Sequence, residues 1–259
     1  MTRIGVQVAP GRARLALTGG PISPRVIAVS ESGARVGLVA TTALLLGGDH
    51  VEIDIDVGPG AWLELIETAG TVAYDAAGLA SSWTVSIRVA DGGLLIWSGE
   101  PFVVARGANV RRDTSIELGA GAVACLRETQ VLGRIGETGG ALRSTLSVRR
   151  HDPVAQSDQE LLMEDLDLTD ADVRSLPGLI GDARVLDTVA LLGIDAPKTP
   201  ELNAGNRFEL DGAGTIARCL TATFAASPLA AISAAWQLAA HDRTISRAGP
   251  AASEHRNSG

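Results

Sequence analysis

Two repeated segments of the chain end in carboxylates that could bind a cation or transfer a proton. The segments GPGAWLELIET (58–68) and GAGAVACLRET (119–129) share Gly, Gly, Ala, Leu, Glu and Thr at the same six places. Because alternate residues of a strand share one face, Glu67 falls with residues 61, 63 and 65, and Glu128 with residues 122, 124 and 126. Those companions are apolar, so both acids face inward if the apolar faces do.

An inward carboxylate must be paired or bound to a cation, because burying an isolated charge is costly. One interpretation places Glu67 and Glu128 at strand ends, solvated or paired with an arginine such as Arg127 or Arg134. Another is a wet internal path lined by oxygen ligands, which hold Ni²⁺ less tightly than imidazole or thiolate and so suit transit better than storage. A third is the use of the two acids as acid and base of a hydrolase or isomerase.

Other reactive residue types lack the spacing that their chemistry needs. The four histidines all lie more than four residues apart, so no helical His pair can bind zinc. Two cysteines, Cys125 and Cys219, without a CxxC make neither a disulfide framework nor a thiolate metal site. The GxGxxA match at 119–124 continues into a strand-like segment, and no P-loop or GxSxG is present. The sequence therefore predicts no tightly bound cofactor and no nucleotide hydrolysis by this chain.

Charge and hydropathy argue against two classes of partner. The 259 residues carry a formal net charge of −8, whereas nucleic-acid binding needs a basic surface. The first residues lack the apolar segment of a signal peptide, and the longest apolar run, 38–46, is too short to span a bilayer. We therefore expect no nucleic-acid partner, no membrane association and a cytoplasmic location.

Short alternating segments separated by glycine turns predict a mainly β fold. VEIDIDV (51–57) and WTVSIRV (83–89) alternate apolar and polar residues, and glycine clusters interrupt the chain at 47–49, 58–60, 91–93 and 119–121. The repeated strand–turn–strand units, with a fainter echo at 208–220, favour a stacked or folded-over β body. We expect one domain over residues 1–245.

One amphipathic helix is predicted near the C-terminus. Ser227 is a plausible N-cap, with Pro228 at the first helical position. Leu229, Ile232 and Trp236 then form an apolar stripe, which either packs on the core of this chain or binds a partner protein. The polar, Gly- and Ser-rich residues 246–259 are predicted to be a disordered tail.

Three segments, taken in order, resemble the urease accessory protein D family (UreD, also called UreH). The first has GGD, a strand, a GPGA-type turn and a Thr-rich stretch ending in Tyr. The second has Gly-Gly-x-Leu-x-Trp leading to a Pro, and the third a Gly-Arg with a Gly-Glu just after it. The matching residues are Asp49, Gly60, Ala61, Thr71, Tyr74, Gly92, Gly93, Leu95, Trp97, Pro101, Gly133, Arg134, Gly136 and Glu137. Departures from the family pattern fall at 67–74 and at 97–101, where Gly99 and Glu100 replace Pro and Gln.

The resemblance implies a β-rich helicoid body with about two helices, and a scaffold that is not an enzyme. It implies direct binding to the family's F-type accessory protein, contact with the G-type GTPase through that protein, and binding to apo-urease. It also implies an internal tunnel for transient passage of Ni²⁺, for which we predict Glu67, Glu128, Asp49 and Glu137. We expect structural roles for the motif residues Gly60, Tyr74, Trp97, Pro101, Gly133 and Arg134. The alternatives are a β-rich interaction module without a metal role and the carboxylate-dependent hydrolase.

Overall fold

The computed structural model describes residues 1–152, 157–198 and 206–247, and strands dominate them, as the alternating sequence predicts. The strands are β1 Thr2–Gln7, β2 Arg14–Thr18, β3 Ile22–Val29, β4 Gly33–Ala40, β5 His50–Val57, β6 Trp62–Glu67, β7 Thr71–Ala73, β8 Ser81–Val89, β9 Leu94–Ser98, β10 Phe102–Val104, β11 Asn109–Leu118, β12 Val123–Leu132, β13 Ala141–Asp152, β14 Ser157–Asp167, β15 Val185–Leu192, β16 Arg207–Glu209 and β17 Gly214–Thr221. The helices are α1 Ala171–Arg174 and α2 Leu229–Arg247, with a 3₁₀ turn at Phe224–Ala226.

The strands form two sheets. The first sheet has the order β14-β13-β11-β8-β5-β1-β2. The second has the order β16-β17-β15-β12-β9-β6-β4-β3, with β10 beside the end of β12 and β7 beside β10. Between β5 and β13 the chain passes back and forth between the two sheets, with β7 following β6 and β10 following β9 within the second sheet. Neighbouring strands within each sheet therefore run parallel in this part of the fold. This stacked arrangement confirms the predicted fold class.

Three equivalent glycine turns join the two sheets along one side. Gly60, Gly92 and Gly121 have φ angles of 62°, 64° and 65°, a left-handed conformation that glycine adopts at little cost. The turns are stacked by hydrogen bonds, from Gly60 N to the Asp91 carbonyl and from Gly92 N to the Ala120 carbonyl, both 2.9 Å. The third copy of the repeated turn is therefore the one at 91–93. The fainter echo at 208–220 is instead the antiparallel hairpin of β16 and β17.

The main hydrophobic core fills the space between the two sheets. Alternate residues of β5 point inward, as predicted, and so do the matching residues of β6, β8, β11 and β12. Leu63, Leu65, Val85 and Ile116 are each at most 2% exposed. Burying a side chain of this size contributes about 1.5–3 kcal/mol, so this face determines the register of each strand.

A second core lies on the outer face of the second sheet, beneath α2. Leu229, Ile232 and Trp236 are buried there against residues of β9, β12, β15 and β17. The predicted N-cap is confirmed, because Leu229 N donates to Ser227 Oγ at 3.2 Å. The helix continues through Arg247, so residues 246 and 247 of the predicted tail are helical, and 248–259 lie outside the described residues. Neither described helix has the length and apolar character needed to cross a membrane.

Candidate functional site

The two repeated glutamates lie in one row across the second sheet. Leu65, Trp97 and Leu126 are paired neighbours on β6, β9 and β12. Two residues further along each strand, the row becomes Glu67, Gly99 and Glu128. A β-carbon on Gly99 would lie 2.7 Å from the Arg127 carbonyl, so only glycine fits between the two acids without a shift of the backbone.

The second sheet is interrupted at this row. The strand β6 ends at Glu67 and β7 begins at Thr71, while β9 ends at Ser98 and β10 begins at Phe102. At the break the Glu100 N–H donates to Glu67 Oε2 at 3.0 Å, so the carboxylate accepts a bond outside the strand ladder. The segments 67–74 and 97–101, which depart from the pattern of the family that the sequence resembles, lie at this break.

Glu67 is a partly buried carboxylate without an arginine bound to it in the described residues. Its Oε1 accepts a hydrogen bond from Trp97 Nε1 at 3.0 Å. Burial raises the pKa of Glu67 from 4.5 to about 7, against the opposing effects of the Arg112 charge and of the hydrogen bonds from Glu100 and Trp97. The pKa therefore places this group close to a change of charge at neutral pH.

Glu128 is paired with an arginine from the opposite sheet. Arg112 Nη2 donates to Glu128 Oε1 at 2.7 Å, and the Arg112 side chain is 8% exposed. The guanidinium carbon also lies 5.0 Å from the centre of the Phe102 ring, which is a cation–π contact. Arg112 comes from β11, where it alternates inward with Val110 and Thr114.

A cavity of about 20 Å³ lies between these groups. That volume accommodates about one water molecule. Glu67 and Glu128 both line it, which confirms that the two acids face inward. The other lining residues are Thr71, Trp83, Trp97, Gly99, Glu100, Phe102, Arg112, Leu126, Arg127 and Thr129.

A second cavity of about 20 Å³ continues on the other side of Glu128. Gln130 and Ser144 face each other across it, with Gln130 Nε2 donating to Ser144 Oγ at 3.1 Å. At its far end Arg218 donates to both oxygens of Glu164 at 2.5 and 2.7 Å, which joins β17 to β14 across the gap. We call the continuous row of polar side chains the polar seam. Its members are Glu67, Arg112, Glu128, Gln130, Ser144, Glu164, Thr188 and Arg218.

Several buried polar atoms along the polar seam lack hydrogen-bond partners among the described residues. They are Arg112 Nε and Gln130 Oε1, together with Nε1 of Trp83, which lines the first cavity. Buried polar atoms are nearly always hydrogen-bonded in folded proteins, either to protein or to ordered water. Two water-sized cavities beside three such atoms therefore indicate a hydrated interior along this row.

The polar seam can interact with a small cation but cannot enclose one. No group of three or more His, Cys, Asp or Glu suited to holding a metal occurs in 1–152, 157–198 or 206–247. Two carboxylates plus water are weak oxygen ligands for Ni²⁺. The cavities are also too small for an organic substrate, so although the two acids share one pocket, they do not form a substrate-sized active site.

The two other predicted nickel-path residues lie away from the polar seam. Asp49 Oδ2 accepts a hydrogen bond from Leu46 N at 2.9 Å and so closes its own loop. Glu137 accepts from Arg134 Nε at 3.0 Å and from the backbone of Arg106 at 3.2 Å. Those bonds lower the pKa of Glu137 to about 2. Neither residue lines either cavity of the seam, and their contact with nickel stays a prediction.

The arginine partners suggested from the sequence are paired with other acids. Arg127 binds Asp187, which is fully buried and also accepts from Thr129 and Ser227. Arg134 binds Glu137. Sequence reasoning missed Arg112 as the partner of Glu128. The alternation of residues in β11 is a sequence signal that Arg112 points inward. Which acid it pairs with depends on the position of the opposite sheet, which the sequence pattern does not give.

The motif residues with expected structural roles have definable contacts. Gly60 forms one of the stacked turns, and Trp97 binds Glu67. The Pro101 carbonyl accepts from Thr71 N at 3.0 Å across the break. Tyr74 N donates to the Leu45 carbonyl at 3.2 Å. Gly133 has a φ of 84°, and a β-carbon there would lie 2.7 Å from the Glu137 carbonyl, so its loop requires glycine.

The predicted partner-binding stripe of α2 packs against this chain. Leu229, Ile232 and Trp236 are 0%, 2% and 0% exposed, so they contribute to the second core. Contact of these residues with a partner stays a prediction, and Leu238, at 65% exposed, lies on the outer face of the helix. A separate groove of about 830 Å³ lies beside the fully exposed Ile135 and includes Phe224.

Comparison with known proteins identifies the family of this chain. The family model described as "UreD urease accessory protein" matches residues 12–252. The chain is 42% identical over 214 residues to "Urease accessory protein UreD 1" of Streptomyces griseus, covering 82% of this chain and 80% of that protein. It is 40% identical over 200 residues to "Urease accessory protein UreD" of Frankia casuarinae, covering 74% and 61%. It is 34% identical over 207 residues to "Urease accessory protein UreD 1" of Saccharopolyspora erythraea, covering 78% of each chain.

Proposed function

The chain belongs to the UreD urease accessory protein family, and from this premise we propose that it assists nickel delivery to urease without catalysing a reaction itself. The proposed cargo is Ni²⁺, which passes through the polar seam. The proposed direct partner is the F-type accessory protein, through which the G-type GTPase joins the complex. Apo-urease is the proposed acceptor. The partners come from the family resemblance, and the route comes from the geometry of the seam.

The single observation that carries the conduit is the polar seam beside the mainly apolar core between the two sheets. Buried charges destabilise a fold unless they are paired and hydrogen-bonded, and apolar replacements of similar volume are often as stable. Five ionisable side chains nevertheless lie along one row between the sheets; Arg112 is buried, and Glu67, Glu128, Glu164 and Arg218 are partly buried. Water-sized cavities follow the same row. A hydrated row lined by carboxylates supports passage of a divalent cation.

The absence of strong ligands along the seam supports transit over storage. Oxygen ligands are low in affinity for Ni²⁺ compared with imidazole or thiolate. Cys125 lies in the second core and not along the seam, and burial alone raises the pKa of its thiol to about 12, so it offers no thiolate at neutral pH. A conduit must release its cargo, and weak oxygen sites meet that requirement. The same features support a protein that carries no tightly bound metal.

Exposed apolar side chains support a role in assembly. Ile135 is fully exposed at the tip of a loop that Arg134 and Glu137 hold in place. Phe224 is 42% exposed beside the same groove. Apolar patches of this kind are typical of surfaces that bind other proteins.

The test is co-expression of the urease subunits with the accessory proteins, with and without this chain, followed by measurement of nickel per purified urease. We expect urease to remain largely free of nickel when the chain is omitted, and to recover nickel when it is supplied on a second plasmid. The GTPase should remain active in both cases, because GTP hydrolysis is assigned to the partner. Full nickel content in urease made without the chain would contradict the proposal.

A further inference from the structure

Arg112 differs from two partly buried arginines of the second sheet, Arg127 and Arg218, in how completely its hydrogen bonds are satisfied. Arg127 donates twice to Asp187, at 3.2 and 2.8 Å, and Arg218 donates to both oxygens of Glu164. Arg112 donates to one oxygen of Glu128 through Nη2, while its Nε has no acceptor among the described residues. A bidentate pair fixes both the charge and its geometry. Arg112 is therefore the least firmly held of these three guanidinium groups.

The position of Arg112 places its charge next to both carboxylates of the first cavity. It binds Glu128 directly, and its positive charge also acts on Glu67. Arginine stays protonated at any accessible pH, so it is a permanent cation at this point. A metal ion in the first cavity would meet the same two carboxylates and would be repelled by the guanidinium. The arginine and a divalent cation therefore compete for one site.

Phe102 gives the guanidinium a second contact besides Glu128. The ring lies 5.0 Å from the guanidinium carbon and lines the same cavity. A guanidinium that leaves a carboxylate can keep part of its stabilisation on an aromatic face. The orphaned Nε shows that the present position does not satisfy every donor. Leaving Glu128 thus costs Arg112 less than breaking a fully satisfied bidentate pair would.

We propose that Arg112 is a built-in counter-ion that neutralises Glu128 when the seam is empty and is displaced when a divalent metal ion binds between Glu67 and Glu128. This inference rests on the proposed conduit and specifies how its first cavity is regulated. The bound state then has two carboxylates and water around the metal, with the guanidinium moved away from Glu128. On release of the metal, Arg112 returns to Glu128. The exchange keeps the interior close to charge balance and keeps metal binding weak.

The test is direct titration of the purified full-length chain with Ni²⁺ by calorimetry, at fixed pH and ionic strength. Arg112→Gln removes the competing charge, and we expect Ni²⁺ to bind at least about tenfold more tightly, because a unit charge a few ångströms away in a partly buried site costs more than that factor. Arg111→Gln is the matched control, since Arg111 lies next to it on the same strand and is exposed. Its affinity should equal that of the unmodified chain.

Two further variants separate charge from volume and locate the site. Arg112→Lys keeps the cation, so its Ni²⁺ affinity should stay weak. Adding Glu128→Gln to Arg112→Gln should remove the gain in affinity. If Arg112→Gln fails to fold, Arg112→Met preserves apolar packing on Phe102 and should show the same tighter binding. Two results would overturn the inference. One is a Ni²⁺ affinity of Arg112→Gln (or of Arg112→Met, if it is used instead) that is no higher than that of Arg111→Gln. The other is an equal increase in Ni²⁺ affinity in Arg112→Lys.

The titration distinguishes this inference from the proposed function. Metal affinity is measured on the chain alone and does not depend on urease activation. If the variant shows no gain while urease still needs the chain for nickel, only the displacement of Arg112 is wrong. If urease acquires its nickel without the chain, the proposed function is wrong whatever the titration shows.

Discussion

The raised pKa of Glu67 predicts a specific dependence of stability on pH. Burial raises its pKa from 4.5 to about 7 in the folded chain, whereas in the unfolded chain the group titrates at its ordinary value. Between these two values the folded state holds a proton that the unfolded state has lost. The contribution of Glu67 to folding is therefore least unfavourable below about pH 4.5 and becomes more unfavourable as the pH rises to 7 and beyond.

The size of the effect follows from the shift. Each unit of difference in pKa corresponds to about 1.36 kcal/mol, so a shift to about 7 is equivalent to about 3 kcal/mol between pH 4 and pH 8. Because part of the Glu67 side chain still meets solvent, this figure is an upper bound. Other acids, such as Glu137 with its pKa of about 2, change stability in the opposite direction. The difference in free energy of unfolding between the unmodified chain and a variant at Glu67 isolates the contribution of Glu67.

The assay is urea unfolding of the unmodified chain and of Glu67→Gln at several pH values between 5 and 8. Gln cannot ionise, but it accepts only one of the bonds from Trp97 and Glu100, so it carries a constant penalty of about 1 kcal/mol. Relative to the variant, the unmodified chain should gain stability by up to about 2.5 kcal/mol as the pH falls from 8 to 5, the part of the full effect that lies within this range. A difference that stays flat across this range, or that changes in the opposite direction, would refute the reasoning about the buried carboxylate.

Two further predictions concern buried groups of the second sheet. Asp187→Ala should lower the free energy of unfolding by about 3–5 kcal/mol, because it leaves the Arg127 side chain, which is 13% exposed, without its partner. Asp56→Ala, which breaks an exposed pair, should change it by at most about 1 kcal/mol. Equal effects of the two changes in chemical denaturation would contradict the role of burial. Cys125, whose pKa burial raises to about 12, should react with a thiol reagent only after unfolding, and rapid labelling of this residue in the native chain would show that it is accessible.

The fold could be predicted from the sequence because its strands follow one local rule. Alternation in 51–57 and 83–89 identifies the inward face, and glycine at 60 and 121 marks turns that need a positive φ. The same rule placed Glu67 and Glu128 on inward faces. These features depend on neighbours in sequence, which is why periodicity reveals them. The faint echo at 208–220 does not form a turn of this kind, because its two strands, β16 and β17, pair with each other as an antiparallel hairpin within one sheet.

The pairing across the two sheets could not be predicted in this way. Arg112 meets Glu128 only because β11 and β12 lie in opposite sheets at the same level. Glu164 meets Arg218 across a separation of 54 residues. The break between β9 and β10 also depends on how β12 is shared by two strands in succession. Contacts of this kind depend on how whole strands stack, so the residue pattern of one strand does not predict them.

The measurement that tests the conduit most directly is the nickel content of urease matured with a chain whose polar seam is blocked. Ser144→Leu fills the second cavity with a larger apolar side chain. Ser147→Leu is the matched control, since Ser147 lies on the same strand and points to the opposite face. We predict that urease matured with Ser144→Leu contains little nickel although the accessory complex still assembles, while Ser147→Leu supports normal loading. Full nickel loading with Ser144→Leu would contradict passage through the seam.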